Sequence, residues 1–387
     1  MVSFENTENA FKARSASALN RSYWLFKLIG NPALVKIGAT IGPLALKLGL
    51  KPLIRATIFK QFVGGETIHN CQKVIAELHS YNIGTILDYS VEGKESENDF
   101  EHCLAETLST IDLAKNNPAI PFCVFKVTGL ARFSLLEKVS EGSSLSASEN
   151  EEWHRVKKRV QTICATAREN NQPIFIDAEE SWIQQAIDDL ADENMAACNR
   201  MQVIVYNTYQ LYRTDRLEFL KRSIEKARSG GYLIGAKLVR GAYMEKERKR
   251  AQENGYPSPI QPDKESSDRD YDASLKLCFS NADIVSICAG THNEHSSQYL
   301  VELMKTGNFS PSDRRFYFSQ LYGMSDHISY NLSLNGYNVA KYVPYGPVKE
   351  VLPYLIRRAQ ENTSVKGQTG RELNLITREK RRRKKEK

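Results

Sequence analysis

The chain has 387 residues, 41% of them hydrophobic and 26% charged, which excludes a mainly disordered polypeptide and points to one large globular domain with extensions. The formal charge of +7 sits at one end: residues 378–387, REKRRRKKEK, hold eight basic and two acidic side chains, so the other 377 residues carry only +1 and a uniformly basic, nucleic-acid-binding body is excluded. The seven cysteines, at 71, 103, 123, 164, 198, 278 and 288, form no CxxC pair; they read as reduced core thiols in a cytosol-like compartment, with no metal site expected.

In chain order, the N-terminus has no apolar signal core, and Glu5 and Glu8 argue against an acid-poor mitochondrial presequence. The expected location is therefore cytoplasmic, with peripheral attachment to an inner membrane, and the alternative is mitochondrial. The apolar stretch 32–63 is interrupted by Lys36, Lys47, Lys51, Arg55 and Lys60. It is too charged to span a bilayer and suits short helices packed on a body or lying at an interface. Residues 1–65 are expected as a helical extension, 66–365 as the main domain, and 366–387 as a basic, disordered tail.

From residue 80 onward, short β-branched apolar runs alternate with helix-compatible stretches. The runs are 83–87, 122–125, 174–176, 203–206, 233–239, 284–287, 316–318 and 339–342. Eight of them in about 260 residues predict an α/β fold, a closed (β/α)8 TIM-like barrel. No G-x-G-x-x-G follows any run, so the doubly wound dinucleotide fold lacks its fingerprint. The Ser- and Glu-rich segment 140–152 reads as an exposed insertion.

Active sites of such barrels lie at the C-terminal strand ends, which here carry Asp88, Lys126, Asp177, Asn207, Lys237, Thr291-His292, Gln320 and Tyr342. Any one of these can be a chain leaving the core for water; a ring of them reads as a site. In 235–243, GAKLVRGAY, Lys237 and Arg240 precede Gly241-Ala242, where little side chain blocks the backbone. A flat or anionic group would find room there, although a tight turn explains the glycine equally well. Tyr354, Arg357, Arg358 and Glu361 fall at i, i+3, i+4 and i+7, one face of a helix. Paired arginines beside a tyrosine suit a small amino or imino acid, against the plainer reading of a surface helix with an Arg-Glu pair.

The segments FIDAEES (175–181), GAKLVRGAYMEKER (235–248), THN (291–293), FYFSQLYGMSD (316–326) and KYVPYGPVKEVLPYLIRRAQEN (341–362) together resemble the proline dehydrogenase family. That resemblance implies FAD over the barrel mouth and L-proline as substrate. It assigns Arg357, Arg358 and Lys126 to the substrate carboxylate, Tyr342 and Tyr354 to the ring walls, and Asp177 to the neighbourhood of the amine. Glu92 would pair with Arg357 as a gate. The cofactor set would be Asn207, Lys237, Val239, Gly241, Ala242, Tyr243, Thr291 and His292, with Glu361 toward the adenosine. Many members have Gln and Arg where this chain has Asn207 and Lys237, and a lysine offers a point charge where an arginine offers a planar fork.

The implied reaction gives 1-pyrroline-5-carboxylate, the first step from proline to glutamate, with a membrane quinone as final acceptor. Rival readings are 4-hydroxyproline oxidation, opposed by the bulk of Tyr354; a Schiff-base lyase using Lys126 or Lys237; and a noncatalytic binding protein acting through its tail. Nucleic acid is not an expected partner.

Overall fold

The computed structural model describes residues 2–31, 33–36, 49, 51–90, 94–364 and 368–386, with side chains described outside 360–369. Eight parallel strands close into a barrel in sequence order: β1 Ile83–Tyr89, β2 Phe122–Lys126, β3 Ile174–Asp177, β4 Val205–Gln210, β5 Ile234–Val239, β6 Val285–Gly290, β7 Phe316–Leu321 and β8 Val339–Tyr345. The chain divides into two compact units, Glu92–Ser319 and Met1–Val91 with Gln320–Lys387.

In the 92–319 unit, alternation along the strands sorts side chains into two populations. Phe122, Phe175, Tyr206 and Tyr317, from β2, β3, β4 and β7, pack against one another, Phe122 and Phe175 stacked at 4.5 Å and Tyr317 edge-on to Phe122 at 4.7 Å. Rings from strands this far apart can meet only inside the barrel, so 122, 175, 206 and 317 fix the inward parity. Residues of the other parity face the helices: Tyr209 packs on Phe219 of the helix Arg216–Gly230.

The segment expected as an exposed insertion is largely exposed, a short turn that leads into the helix Ala147–Glu169. Ser146 and Glu149 close a capping box at its start, and the nearly buried Glu152 receives Arg132. All seven cysteines are buried and free.

In the other unit, β1 and β8 pair from Ile83↔Val339 to Tyr89↔Tyr345. The N-terminal residues contribute Ala16–Ile29 and a helical run over 51–62 that contains a π-helical turn, Arg55–Phe59. Residues 368–385, expected to be disordered, form a helix. Its Leu375 and Ile376 join Phe11, Leu19, Phe26, Phe62 and Leu355 in one apolar core. Its Glu372 accepts the Ser325 N–H at 2.5 Å beside Asp326, which is held by Arg14 (3.0 Å) and by Lys341 of β8 (2.9 Å). Burial alone would raise the Asp326 carboxyl; Lys341 and Arg14 overcome it and hold it at about 2.

The basic end is likewise engaged. Arg378 pairs with Glu5, Arg382 and Arg383 with the buried Glu379, and Arg383 also donates to the carbonyls of Phe11 and Arg14. Among the described residues no helix is long and apolar enough to cross a membrane.

Candidate active site

At the C-terminal ends of β2, β3 and β5 the inward parity falls on Lys126, Asp177 and Lys237. Asp177 lies across from Lys126 in the strand register. Lys237 donates from Nζ to Asp177 Oδ1 at 2.5 Å, both side chains nearly buried, and its ammonium lies 5.1 Å from the centre of the Phe175 ring. Asp177 and Lys237 thus form an ion pair above the aromatic floor, and Asp177 Oδ1 is committed to Lys237.

Asn207 requires a correction. It is completely buried with the outward parity: its amide donates to Asp188 Oδ1 (3.0 Å), and its Oδ1 accepts the Thr208 N–H. Asp188 in turn receives Arg216 at 2.7 Å. Asn207 therefore braces β4 against the helix layer instead of facing the mouth. The apolar run ends at 206, whereas β4 continues to 210. Its inward strand-end residue is Gln210, which sequence reasoning missed; counting by two from Tyr206 would have found it. Gln210 donates from Nε2 to the Glu179 carbonyl at 3.0 Å, while its Oε1 is buried with no hydrogen-bond partner among the described residues.

After β5 the chain turns at Gly241, where φ is +138° and an added Cβ would lie 2.3 Å from the Tyr212 ring. Only glycine is accommodated there, leaving a bare backbone between Val239 and Tyr243. Arg240, singled out as a second cation near this turn, faces away. It lies 4.3 Å over the Tyr271 ring and donates to Asp268, Thr291 Oγ1 (2.9 Å) and Ser296 Oγ. Thr291 also accepts the Asn293 N–H (3.0 Å), and its own N–H reaches the Ser319 carbonyl. Both Thr291 and the adjacent, half-buried His292 thus follow directly on β6.

In the other unit, Tyr342 is a nearly buried residue of β8. Tyr354, Arg357 and Arg358 lie on the helix Val348–Ser364, with Pro353 inside it. Tyr354 and Arg358 are nearly buried and Arg357 half-buried; the Arg358 guanidinium sits 5.2 Å over the Tyr354 ring, one helical turn apart as the spacing required. Glu92 and the Glu361 side chain lie outside the described residues.

A buried acceptor at the end of β4, a bare backbone after β5, and an ammonium at the mouth are groups that a flat, polar, partly anionic cofactor can use. A closed (β/α)8 barrel with an ion pair and amides at its C-terminal rim defines the class as a barrel enzyme. The sequence profile described as "Proline dehydrogenase" matches residues 71–371, and the chain belongs to that family of oxidoreductases. It is 32% identical to a hydroxyproline dehydrogenase of Xenopus laevis over 96% of this chain and 88% of that protein. It is 33% identical to the carbapenem antibiotics biosynthesis protein CarD of Pectobacterium carotovorum over 82% of each. Human mitochondrial proline dehydrogenase 1 is 40% identical over 60% of this chain and 40% of its own length. Among solved structures, proline utilization A of Bdellovibrio bacteriovorus superposes with a TM-score of 0.73 at 19% identity, covering 92% of this chain and 38% of that one. This chain spans about two fifths of that protein's length.

Proposed function

We propose that the protein oxidises L-proline to 1-pyrroline-5-carboxylate with FAD as hydride acceptor. The observation that carries this reading is the family match over 71–371, which takes in every strand-end residue named above. Removing hydride from an amine-bearing carbon needs an acceptor that no side chain provides; FAD supplies it when bound. Val239, Gly241, Ala242 and Tyr243 would hold the cofactor through the backbone after β5, with Gln210, Lys237, Thr291 and His292 at its edges. Gln210 takes the position first given to Asn207.

By the same resemblance Arg357 and Arg358 would hold the proline carboxylate, and Tyr342 and Tyr354 would wall the ring. Asp177 orients Lys237 through their ion pair. The substrate amine must be neutral before it reacts, because a protonated nitrogen has no lone pair to push toward carbon. Hydride then leaves carbon with the nitrogen lone pair forming the C=N bond.

The product feeds the route to glutamate, and a membrane quinone takes the electrons. Contact with the bilayer is supported at the N-terminal helices. Residues 9–65 hold nine Lys/Arg and no Asp or Glu, and Trp24 and Leu28, one turn apart, are each about half exposed (53% and 52%). We read the protein as peripheral on an inner membrane, either that bounding the cytoplasm or that of mitochondria, the compartment in the names of its human and Dictyostelium relatives.

The test is an absorption spectrum of the purified protein before and after L-proline, with 4-hydroxyproline in parallel. Oxidised-flavin bands that bleach with proline and persist with hydroxyproline are expected. A colourless protein sinks the FAD assignment, and faster bleaching by hydroxyproline transfers the reading to that substrate, which two hydroxyproline dehydrogenase relatives keep in play.

A further inference from the structure

Each of the five residues 322–326, the turn that follows β7, is pinned from outside the turn. The Tyr322 N–H donates to the Tyr342 carbonyl at 2.9 Å. The Gly323 carbonyl accepts Gln61 Nε2 at 2.8 Å, and the Met324 carbonyl accepts Lys341 Nζ at 2.5 Å. Glu372 takes the Ser325 N–H at 2.5 Å, and Asp326 is held by Arg14 (3.0 Å) and Lys341 (2.9 Å).

The turn is strained as well as pinned. Gly323 (φ +79°) and Ser325 (φ +50°) both take the left-handed conformation. At Gly323 an added Cβ would lie 2.0 Å from the Gln61 carbonyl oxygen, so glycine is required; a serine in that conformation is disfavoured. Such strain persists only where the surroundings over-determine the backbone, and it gathers at functional sites. The pinning groups are themselves ions out of water: Lys341 is 1% exposed, and Asp326 and Glu372 are buried. Exchanging a buried ion cluster for apolar residues of similar size commonly leaves stability equal or higher. Stability therefore does not by itself account for the triad of Arg14, Asp326 and Lys341, whereas a defined backbone geometry does.

Alternation along β8 shows what that geometry serves. Lys341 reaches Asp326 at the start of the helix Asp326–Leu334, in the layer outside the barrel, so its neighbour Tyr342 turns inward. The carbonyl of Tyr342 is the group that Tyr322 holds. Resting on the function proposed above, we propose that Asp326 and Glu372 are positioning residues: by pinning the turn 322–326 they fix Tyr342 as a wall fitted to a five-membered ring. Arg14 and the helix Gln368–Lys385, both outside the barrel, thereby set the ring size that the enzyme accepts.

The test is the triple variant Arg14→Met, Asp326→Leu, Lys341→Met, which removes the three charges together. It is compared with the wild type in denaturation midpoint, in hydrogen–deuterium exchange over 322–326, and in steady-state kinetics with L-proline as substrate and its six-membered homologue, L-pipecolate, as competitor. The midpoint should stay at or above that of the wild type while the turn exchanges faster. The ratio of the pipecolate Ki to the proline KM should fall by about tenfold, the low end of what one methylene is worth in a fitted pocket. Glu372→Ala should lower the same ratio, and Glu372→Gln, which keeps an acceptor for the Ser325 N–H, should restore it; this pair decides the matter if the triple variant does not fold. An unchanged ratio in a variant whose turn exchanges faster overturns the proposal, and so does unchanged exchange. A wild type inert toward proline overturns the substrate reading and the ring-size selectivity with it, while exchange still reports whether the ions hold the turn.

Discussion

Arg357 and Arg358 are neighbours in sequence with different surroundings, since Arg358 is nearly buried over the Tyr354 ring while Arg357 is half-buried. Guanidinium-carboxylate bonds contribute roughly 1.5–3 kcal/mol, so Arg357→Met or Arg358→Met should raise the KM for proline by about ten- to a hundredfold. Steady-state kinetics at fixed pH check this, and an unmoved KM in both variants would remove the pair from the substrate site. The Tyr354–Arg358 stacking was legible from the i, i+4 spacing alone, because a helix dictates which side chains meet along one face. The fate of Asn207 was not. Apolar content cannot mark where a strand ends when its last residues are Asn, Thr, Tyr and Gln, and misplacing the end by an odd number of residues exchanges inward for outward.

At the scale of elements, the eight apolar runs correspond to the eight strands, and their alternation with helices was enough to define the barrel. Residues 368–385 looked like a charged tail because only Leu373, Leu375 and Ile376 interrupt its polar composition. What makes it a helix is where those residues land: Leu375 and Ile376 are buried in the core around Leu19 and Leu355, and Glu372 and Glu379 are buried against Ser325 and the paired arginines. Deleting 368–387 removes the burial of two aliphatic side chains, Leu375 and Ile376, worth roughly 1.5–3 kcal/mol each. The truncated protein should therefore lose about 3–6 kcal/mol in chemical denaturation. A midpoint indistinguishable from that of the full chain would mean that the helix adds nothing to the core.

For the whole molecule, the charge distribution changes meaning once the chain is folded. The cluster at 378–387, the most basic stretch of the sequence, is partly neutralised by Glu5, Glu8, Glu379 and Glu386. Residues 9–65 have no acidic side chain of their own and expose Trp24, Leu28, Leu34 and Leu53. The combination of exposed apolar residues and cations suits an anionic bilayer surface. Co-sedimentation should show binding to vesicles rich in phosphatidylglycerol and little to pure phosphatidylcholine. The double substitution Trp24→Ser, Leu28→Ser should weaken it by about tenfold, roughly 1.4 kcal/mol, while removal of 378–387 has a smaller effect. Equal binding by the double variant would move the contact elsewhere.

The sequence by itself determined the barrel, the order of its strands, the family and most strand-end residues, because periodicity and motif spacing are local properties that each segment carries alone. Tertiary structure decided the pairing of Lys237 with Asp177, the outward role of Asn207 and Arg240, the place of Gln210, and the folding of the basic end into a helix. Each of these depends on which distant residue supplies the partner for a buried polar or apolar group, and that choice exists only once the chain has closed on itself.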